Sequence, residues 1–247
     1  MTKAPHILLL AGSFEARRVA EMLGARGVLY AAWLSEAPRG PAVMPQTPQL
    51  RRFADAAEMR AAVAQGGFDA ILDASHVFDR TVTQQATEVA RALGLPLLRL
   101  ERPAWRTSGD TGLIAVPDVT VANKMIVNGD RVFCATGWES LPAFAPFAGD
   151  VLMLRQTRRH MRPPPYPFVE LVFGDPPFSE ATERETFQTL RANVLICRNL
   201  GGQASRPKVD AAQALGLKII LVDRPPAPQG TPVVADVQSA LDWTFAL

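Results

Sequence analysis

The fold is decided by residues 7–16, which read ILLLAGSFEA. Four apolar residues in a row are typical of a parallel strand that is covered on both faces. The turn that follows contains Gly12, and Ser13 is a residue type that caps helices. Apolar side chains then recur at helical spacing as far as Leu23, which predicts a helix. A strand, a tight turn and a helix in this order indicate an α/β fold.

The same alternation continues along the rest of the chain. Strands are predicted at residues 28–34, 70–74, 96–100, 131–135, 151–154, 169–173, 193–197 and 218–222, and helices at 54–65, 79–93, 179–191, 207–215 and 236–245. Strands joined by helices form parallel sheets through right-handed crossovers. We therefore expect an α/β protein with two Rossmann-like lobes, mainly parallel sheets and a cleft between the lobes.

Residues 101–112 have no sustained hydrophobic period and are predicted to connect the lobes. This divides the chain into an amino-terminal lobe at residues 1–112 and a carboxyl-terminal lobe at residues 113–247. Ligands of open α/β sheets bind beyond the carboxyl ends of the strands. The turns at those ends are therefore the candidate sites.

Composition narrows the classes of partner. Hydrophobic residues make up 48% of the chain and charged residues 20%, which suits an ordinary globular core. A net charge of +2 is too small to require a nucleic-acid partner. The first apolar run is too short for a membrane span, so we expect a cytoplasmic protein without a membrane partner. The composition leaves the oligomeric state open.

The two cysteines, Cys134 and Cys197, both stand in apolar runs. Neither belongs to a CxxC motif or to a cluster of cysteine and histidine residues, which are the patterns of a structural zinc site. We therefore predict two buried thiols that pack as small apolar groups, and no metal.

Two candidate turns lie in the first half. Gly12 lets the backbone approach a ligand closely, and the helix that begins after Ser13 offers free N–H groups to a phosphate. An ordinary helix cap explains Ser13 equally well. Ser75 and His76 leave the third predicted strand, where a ligand would lie. A lone histidine is, however, more often a packed or capping residue.

A third candidate turn covers residues 198–208. Arg206 and Lys208 flank Pro207, which suits the first position of a helix. Cations oppose the helix dipole at this end, unless an anion docks there. The pair at 201–202 is Gly-Gly, which permits close backbone approach, although a solvated loop is the alternative.

The most basic stretch lies at residues 155–162 and contains Arg155, Arg158, Arg159, His160 and Arg162. A solvated edge is the default interpretation of such a stretch. Aromatic residues are too sparse there for base stacking, but an anionic small molecule would suit it.

These pieces, in this order, resemble the precorrin-6A reductase family of cobalamin biosynthesis. Its GGTxEA motif is similar to residues 11–16 (AGSFEA), and its DATHPF motif to residues 73–78 (DASHVF). Residues 98–105 (LRLERPAW) nearly match the segment between the family's lobes and are the most specific match. Further similar stretches are residues 132–137 (VFCATG), 198–202 (RNLGG) and 222–225 (VDRP).

The resemblance implies NADPH-dependent reduction of a ring double bond of precorrin-6A, giving precorrin-6B. It implies a cofactor-binding amino-terminal lobe and a carboxyl-terminal lobe that binds an anionic tetrapyrrole, a corrin precursor with many carboxylates. The implied cofactor residues are Gly12, Ser13, Phe14, Glu15, Ser35, Ser75 and His76. The implied substrate residues are Arg198, Asn199, Gly201, Gly202, Arg206 and Lys208. His76 is the candidate catalytic residue, orienting the substrate or relaying a proton.

Departures from the family pattern leave alternatives open. Ser35 stands where the family has an arginine suited to a 2′-phosphate, and Glu36 beside it would favour the free ribose of NADH. Arg39, Arg51 or Arg52 would restore a preference for NADPH. One alternative function is a non-catalytic member that binds a tetrapyrrole or nucleotide. The other is an NAD(P)-dependent reductase of another small metabolite, although the Tyr-x-x-x-Lys pair is absent.

Overall fold

The computed structural model describes residues 5–37, 44–107 and 112–247. The chain divides into two compact units, the first formed by residues 1–103 with 225–247 and the second by residues 104–224. Each unit contains a six-stranded sheet in which every described pairing is parallel. The predicted two-lobed α/β class with mainly parallel sheets is confirmed.

The elements follow one another in a regular alternation. The strands are β1 (His6–Ala11), β2 (Leu29–Leu34), β3 (Gln49–Leu50), β4 (Ala70–Ala74), β5 (Leu97–Leu100), β6 (Leu113–Val116), β7 (Arg131–Ala135), β8 (Val151–Gln156), β9 (Val169–Phe173), β10 (Val194–Arg198), β11 (Lys218–Val222) and β12 (Val233–Val234). The helices are α1 (Phe14–Ala25), α2 (Ala56–Gly66), α3 (Arg80–Leu93), α4 (Val119–Asn123), α5 (Glu180–Thr189), α6 (Pro207–Ala214) and α7 (Val237–Phe245), with a 3-10 helix at Trp138–Phe144. None of the described helices has the length and apolar character needed to cross a bilayer.

In the first unit the strand order is β12-β5-β4-β1-β2-β3. The chain starts in the middle with β1, runs outward through β2 and β3, and then returns to β4 on the other side. A reversal of this kind leaves a crevice at the carboxyl ends of the two central strands. Ala11 of β1 pairs with Ala74 of β4, so the turns that follow these residues are neighbours.

Both faces of this sheet are covered, which explains the unbroken apolar run in β1. Ile7 and Leu9 are fully buried in a core that includes side chains of α1 and α7. Leu8 and Leu10 point to the opposite core, which includes side chains of α2 and α3. A strand buried on both faces reads as continuous rather than alternating hydrophobicity.

The last residues of the chain complete the first unit. Val233 and Val234 of β12 pair with Arg99 and Leu100 at the edge of the sheet, and α7 packs against α1. The sequence analysis divided the lobes between residues 112 and 113, whereas the second unit begins at Ala104 and residues 225–247 belong to the first unit. The physical reason is the amphipathic α7, whose buried Leu241 covers the same core as α1.

The second unit repeats the arrangement with the strand order β6-β11-β10-β7-β8-β9. Here the chain reverses between β7 and β10, where Ala135 pairs with Cys197. The crevice of this sheet therefore lies beside the turns that follow β7 and β10. One face is covered by α5 and α6, through a core that includes Phe133, Phe187 and Val209.

Candidate functional site

Gly12 lies where the turns after β1 and β4 approach most closely. A Cβ atom at this position would lie 2.8 Å from the backbone nitrogen of His76, which is too close for two such atoms. Ser13 Oγ donates to the carbonyl of Ala74 (2.9 Å) and accepts from the N–H of Ala16 (3.1 Å). Ser13 therefore caps α1, as one of its two interpretations proposed, and also ties the two turns together.

We predict that Gly12→Ala lowers the free energy of unfolding by about 1–3 kcal/mol, because the backbone must shift to admit the methyl group. Gly24→Ala is the matched control. A Cβ at Gly24 in α1 meets nothing within 4 Å, so we expect no loss and a gain of up to about 1 kcal/mol. Urea denaturation measures both, and equal midpoints for the two variants would contradict the close approach at Gly12.

A buried network of charges holds the turn after β4. Arg99 Nη1 donates to Asp73 Oδ2 (2.7 Å) and to Thr83 Oγ1 (2.5 Å), and Arg99 Nε donates to Glu101 Oε2 (2.8 Å). Asp73 Oδ1 in turn accepts from the N–H of Ser75 (3.0 Å). Burial acts to lower the pKa of Arg99, but the charges of Asp73 and Glu101 outweigh it, and the pKa is raised. Arg99 therefore keeps its charge, and Asp73 orients the backbone at Ser75.

His76 has a defined hydrogen-bonding role in this turn. Its Nδ1 accepts from the N–H of Phe78 (3.2 Å), and its carbonyl accepts from the N–H of Asp79 (2.7 Å). In a neutral imidazole whose Nδ1 accepts, the proton is on Nε2. His76 is partly exposed. The neutral ring can thus donate a hydrogen bond through Nε2.

Ser35 and Arg52 lie together at the carboxyl end of β2. Ser35 Oγ donates to Asp79 Oδ2 (2.5 Å), so its hydroxyl is already engaged. Arg52 Nε donates to the carbonyl of Ser35 (2.8 Å), which brings a guanidinium to the strand end where Rossmann folds hold the ribose. Arg51 instead stacks on Trp33, with its Cζ 5.3 Å from the ring centroid. Arg39 lies outside the described residues.

The remaining predicted cofactor residues begin α1. Phe14 is 47% exposed, and Arg17 lies over its ring at 5.5 Å. Glu15 forms an ion pair with Arg102. The charge of Glu15 is therefore balanced, and the amino terminus of α1 keeps its positive dipole end toward solvent.

In the second unit, Arg198 lies at the central reversal of the sheet. It ends β10, and a Cβ on Gly137 after β7 would lie 3.6 Å from its Nη2. Gly137 has a φ of 93°, a conformation that favours glycine. Gly201 and Gly202 also have positive φ, 65° and 66°. Arg198 and these glycines therefore lie at one end of the sheet.

Asn199 has an internal role in the structure. Its Oδ1 accepts from the N–H of Trp105 (2.9 Å), and its Nδ2 donates to the carbonyl of Trp105 (3.1 Å). The residue is 2% exposed. Because both polar ends of the amide are engaged, Asn199 anchors the segment at Trp105, and its side chain is not presented to a ligand as the sequence analysis expected.

Arg206 and Lys208 are also engaged within their own segment. Arg206 Nε donates to Asp210 Oδ1 (2.6 Å) and its Nη2 to Gln213 Oε1 (2.9 Å), while Lys208 Nζ donates to the carbonyl of Ser205 (3.1 Å). The charge of Arg206 at the start of α6 is thus balanced by Asp210. A shallow pocket of about 330 Å³ lies beside it, lined by Trp105, Gly202, Gln203, Arg206 and Asp210.

Both thiols are buried and free. Burial raises the pKa of Cys134, and it raises the pKa of Cys197 to about 12, so both stay protonated at neutral pH. Within residues 5–37, 44–107 and 112–247, no group of three or more histidine, cysteine, aspartate or glutamate side chains is placed to hold a metal ion.

Comparisons with known proteins indicate one family over nearly the whole chain. The family model described as precorrin-6x reductase CbiJ/CobK matches residues 6–244. The precorrin-6A reductase of Rhodococcus erythropolis is 32% identical over 246 residues, and that of Mycobacterium tuberculosis strain H37Rv is 31% identical over 250 residues; each alignment covers 98% of both chains. The solved structure of a CobK precorrin-6A reductase is similar with a TM-score of 0.89 and 26% identity, covering 98% of this chain and 96% of that one.

Proposed function

The chain belongs to the precorrin-6x reductase family, oxidoreductases of cobalamin biosynthesis, and we propose that it reduces a ring double bond of precorrin-6A with NADPH to give precorrin-6B. The observation that carries this proposal is the reversal between β1 and β4, where Gly12, Ser13 and His76 meet. When bound, the nicotinamide cofactor supplies the hydride, and the protein supplies binding and orientation.

The first unit fits a dinucleotide. The helix that starts at Phe14 directs free N–H groups and a positive dipole end to the turn at Gly12, as a pyrophosphate requires. Gly12 has no side chain to block that approach, and the carboxylate of Glu15 is balanced by Arg102. Ser75 and His76 border the same turn from β4. These residues would hold the cofactor.

The choice of NADPH is supported by Arg52. Its guanidinium, fixed on the carbonyl of Ser35, supplies the positive charge that a 2′-phosphate needs in place of the family's arginine. Ser35 would therefore act through its backbone, since its hydroxyl is held by Asp79. If the guanidinium of Arg52 does not contact the cofactor, NADH is the alternative to NADPH.

We expect Arg52→Ala to raise the KM for NADPH about tenfold, because one charge-assisted contact to the phosphate is lost, and to leave the KM for NADH unchanged. Arg60→Ala, an exposed arginine on α2, is the control and should change neither constant. Steady-state kinetics with NADPH and with NADH measures both KM values. A parallel rise in both constants for Arg52→Ala would show that the residue does not read the phosphate.

The second unit is the proposed binding site for the tetrapyrrole. Arg198 offers a guanidinium at the end of β10, and Gly201 and Gly202 permit close approach of the backbone. Carboxylates of a corrin precursor suit these groups. Asn199 would contribute as a positioning residue that fixes the loop on Trp105, and Arg206 and Lys208 as cations at its far end.

The whole proposal is tested by mixing the purified chain with precorrin-6A and NADPH. We expect one equivalent of NADPH to be oxidised for each precorrin-6A consumed, and mass spectrometry to detect a product two hydrogens heavier. Binding of NADPH without its oxidation would instead support the non-catalytic alternative.

A further inference from the structure

Three neighbouring strand ends of the second unit bring aromatic rings together. Trp138 follows β7, His160 follows β8, and Phe173 is the last residue of β9. The His160 ring meets Trp138 edge-on at a centroid distance of 5.1 Å and an angle of 84°, and Phe173 at 5.5 Å and 76°. Because β8 lies between β7 and β9, His160 lies between the other two rings.

Two arginines stack on these rings. Arg162 lies over Trp138, with its Cζ 4.4 Å from the ring centroid, and Arg159 lies over Phe173 at 5.8 Å. Both arginines are exposed. A guanidinium that lies over an aromatic ring can still direct N–H groups to a carboxylate.

Arg159 and Arg162 lie in a segment of the chain that has no acidic residue. Residues 156–169 include three arginines and one histidine but no aspartate or glutamate. In the part of the chain that the structure describes, neither Arg159 nor Arg162 forms an ion pair. Arg155, by contrast, has a side chain that is 8% exposed and pairs with Glu183 at 2.6 Å, so it stabilises the fold.

We propose that Trp138, Arg159, His160, Arg162 and Phe173, here called the stacked-arginine platform, bind peripheral carboxylates of precorrin-6A. The inference rests on the proposed function, which supplies the ligand. The arginines match the carboxylates, and the ring surfaces match the apolar edge of the macrocycle. Arg198 is the last residue of β10, which lies beside β7, so it lies at the same carboxyl end of the sheet as the platform. The platform therefore extends the substrate site across four strand ends.

The test uses the double variant Arg159→Ala/Arg162→Ala of the full chain. We expect its KM and Kd for precorrin-6A to rise about tenfold or more, with kcat and the KM for NADPH unchanged, because the platform contributes binding only. The Kd is measured without cofactor, from quenching of protein fluorescence by precorrin-6A. Added salt should weaken binding less in the double variant than in the natural chain, since fewer charges are screened.

Two further variants test whether the affinity depends on positive charge at residues 159 and 162 or on the positive charge of the protein as a whole. Arg159→Lys/Arg162→Lys keeps the cations and should recover part of the lost affinity. Arg184→Ala removes an exposed arginine of α5 that pairs with Glu180 on the same helix, and should leave the Kd unchanged. If Arg184→Ala loses as much affinity for precorrin-6A as the double alanine variant, the proposal is wrong.

The outcomes distinguish the two proposals. If the natural chain reduces precorrin-6A and the double alanine variant keeps the same KM and Kd, the platform is wrong and the proposed function stands. If the natural chain binds precorrin-6A but does not reduce it, the proposed function is wrong, and the Kd values alone decide on the platform. If it neither binds nor reduces precorrin-6A, both are wrong.

Discussion

His76→Ala is expected to lower the rate of precorrin-6A reduction in a single turnover by about 10²–10³-fold, the range for loss of a positioned hydrogen-bond donor. Nδ1 of His76 accepts from the N–H of Phe78, which leaves Nε2 as the donor. When bound, the cofactor would supply the hydride for one ring carbon, and the neighbouring carbon would take up a proton from solvent. Nε2 of His76 would orient the substrate for this step. His76 is the histidine that borders the turn at Gly12, where we propose that the cofactor binds.

His76→Asn separates the chemical role from a structural one. The asparagine amide oxygen can accept from the N–H of Phe78 in place of Nδ1, but the shorter side chain cannot place a hydrogen-bond donor where Nε2 lies. We expect both variants to reduce precorrin-6A slowly at saturating NADPH, where a loss of cofactor affinity does not affect the single-turnover rate. Full activity of His76→Asn would assign the residue to turn geometry alone, and an unchanged single-turnover rate for His76→Ala would remove it from the reaction.

Arg99→Leu is expected to lower the free energy of unfolding by about 3–5 kcal/mol, the range for breaking a buried ion pair from one side. The side chains of Arg99 and Asp73 are 3% and 0% exposed, so leucine would leave the Asp73 carboxylate buried without its cation. Thr83 would lose its 2.5 Å contact at the same time. Denaturation in urea, with the midpoint and slope fitted together, measures the change.

Arg91→Leu is the control for the loss of a positive charge. Arg91 is exposed in the last turn of α3, and we expect a change within about 0.5 kcal/mol. Because Asp73 also accepts from the N–H of Ser75, Arg99→Leu should weaken NADPH binding even at temperatures where the variant is folded. Unfolding midpoints that agree between the two variants would show that the network does not stabilise the fold.

Local sequence patterns were sufficient for most of the sheet and helix positions. Residues 131–135 and 169–173 were predicted as strands and are the strands β7 and β9. A strand between two helical layers must be apolar on both faces, and a helix must begin with a cap, so both leave local signals. The short β6 and α4 were missed, because four or five residues are too few to establish a period.

The sequence by itself determined the alternation of strands and helices, the turns at Gly12, His76 and Arg198, and the resemblance to a family. The tertiary structure alone decided which partners those turns acquired. Arg99 inside an apolar strand was a local signal of a buried ion pair, but its partner Asp73 lies 26 residues away. Asn199 and Trp105 are 94 residues apart, and the stacked-arginine platform needs three strand ends side by side. Hydrophobic periodicity and helix capping depend on residues a few positions apart, so the sequence shows them directly. Charge pairing and ring stacking depend on distances between side chains that only the folded sheet sets.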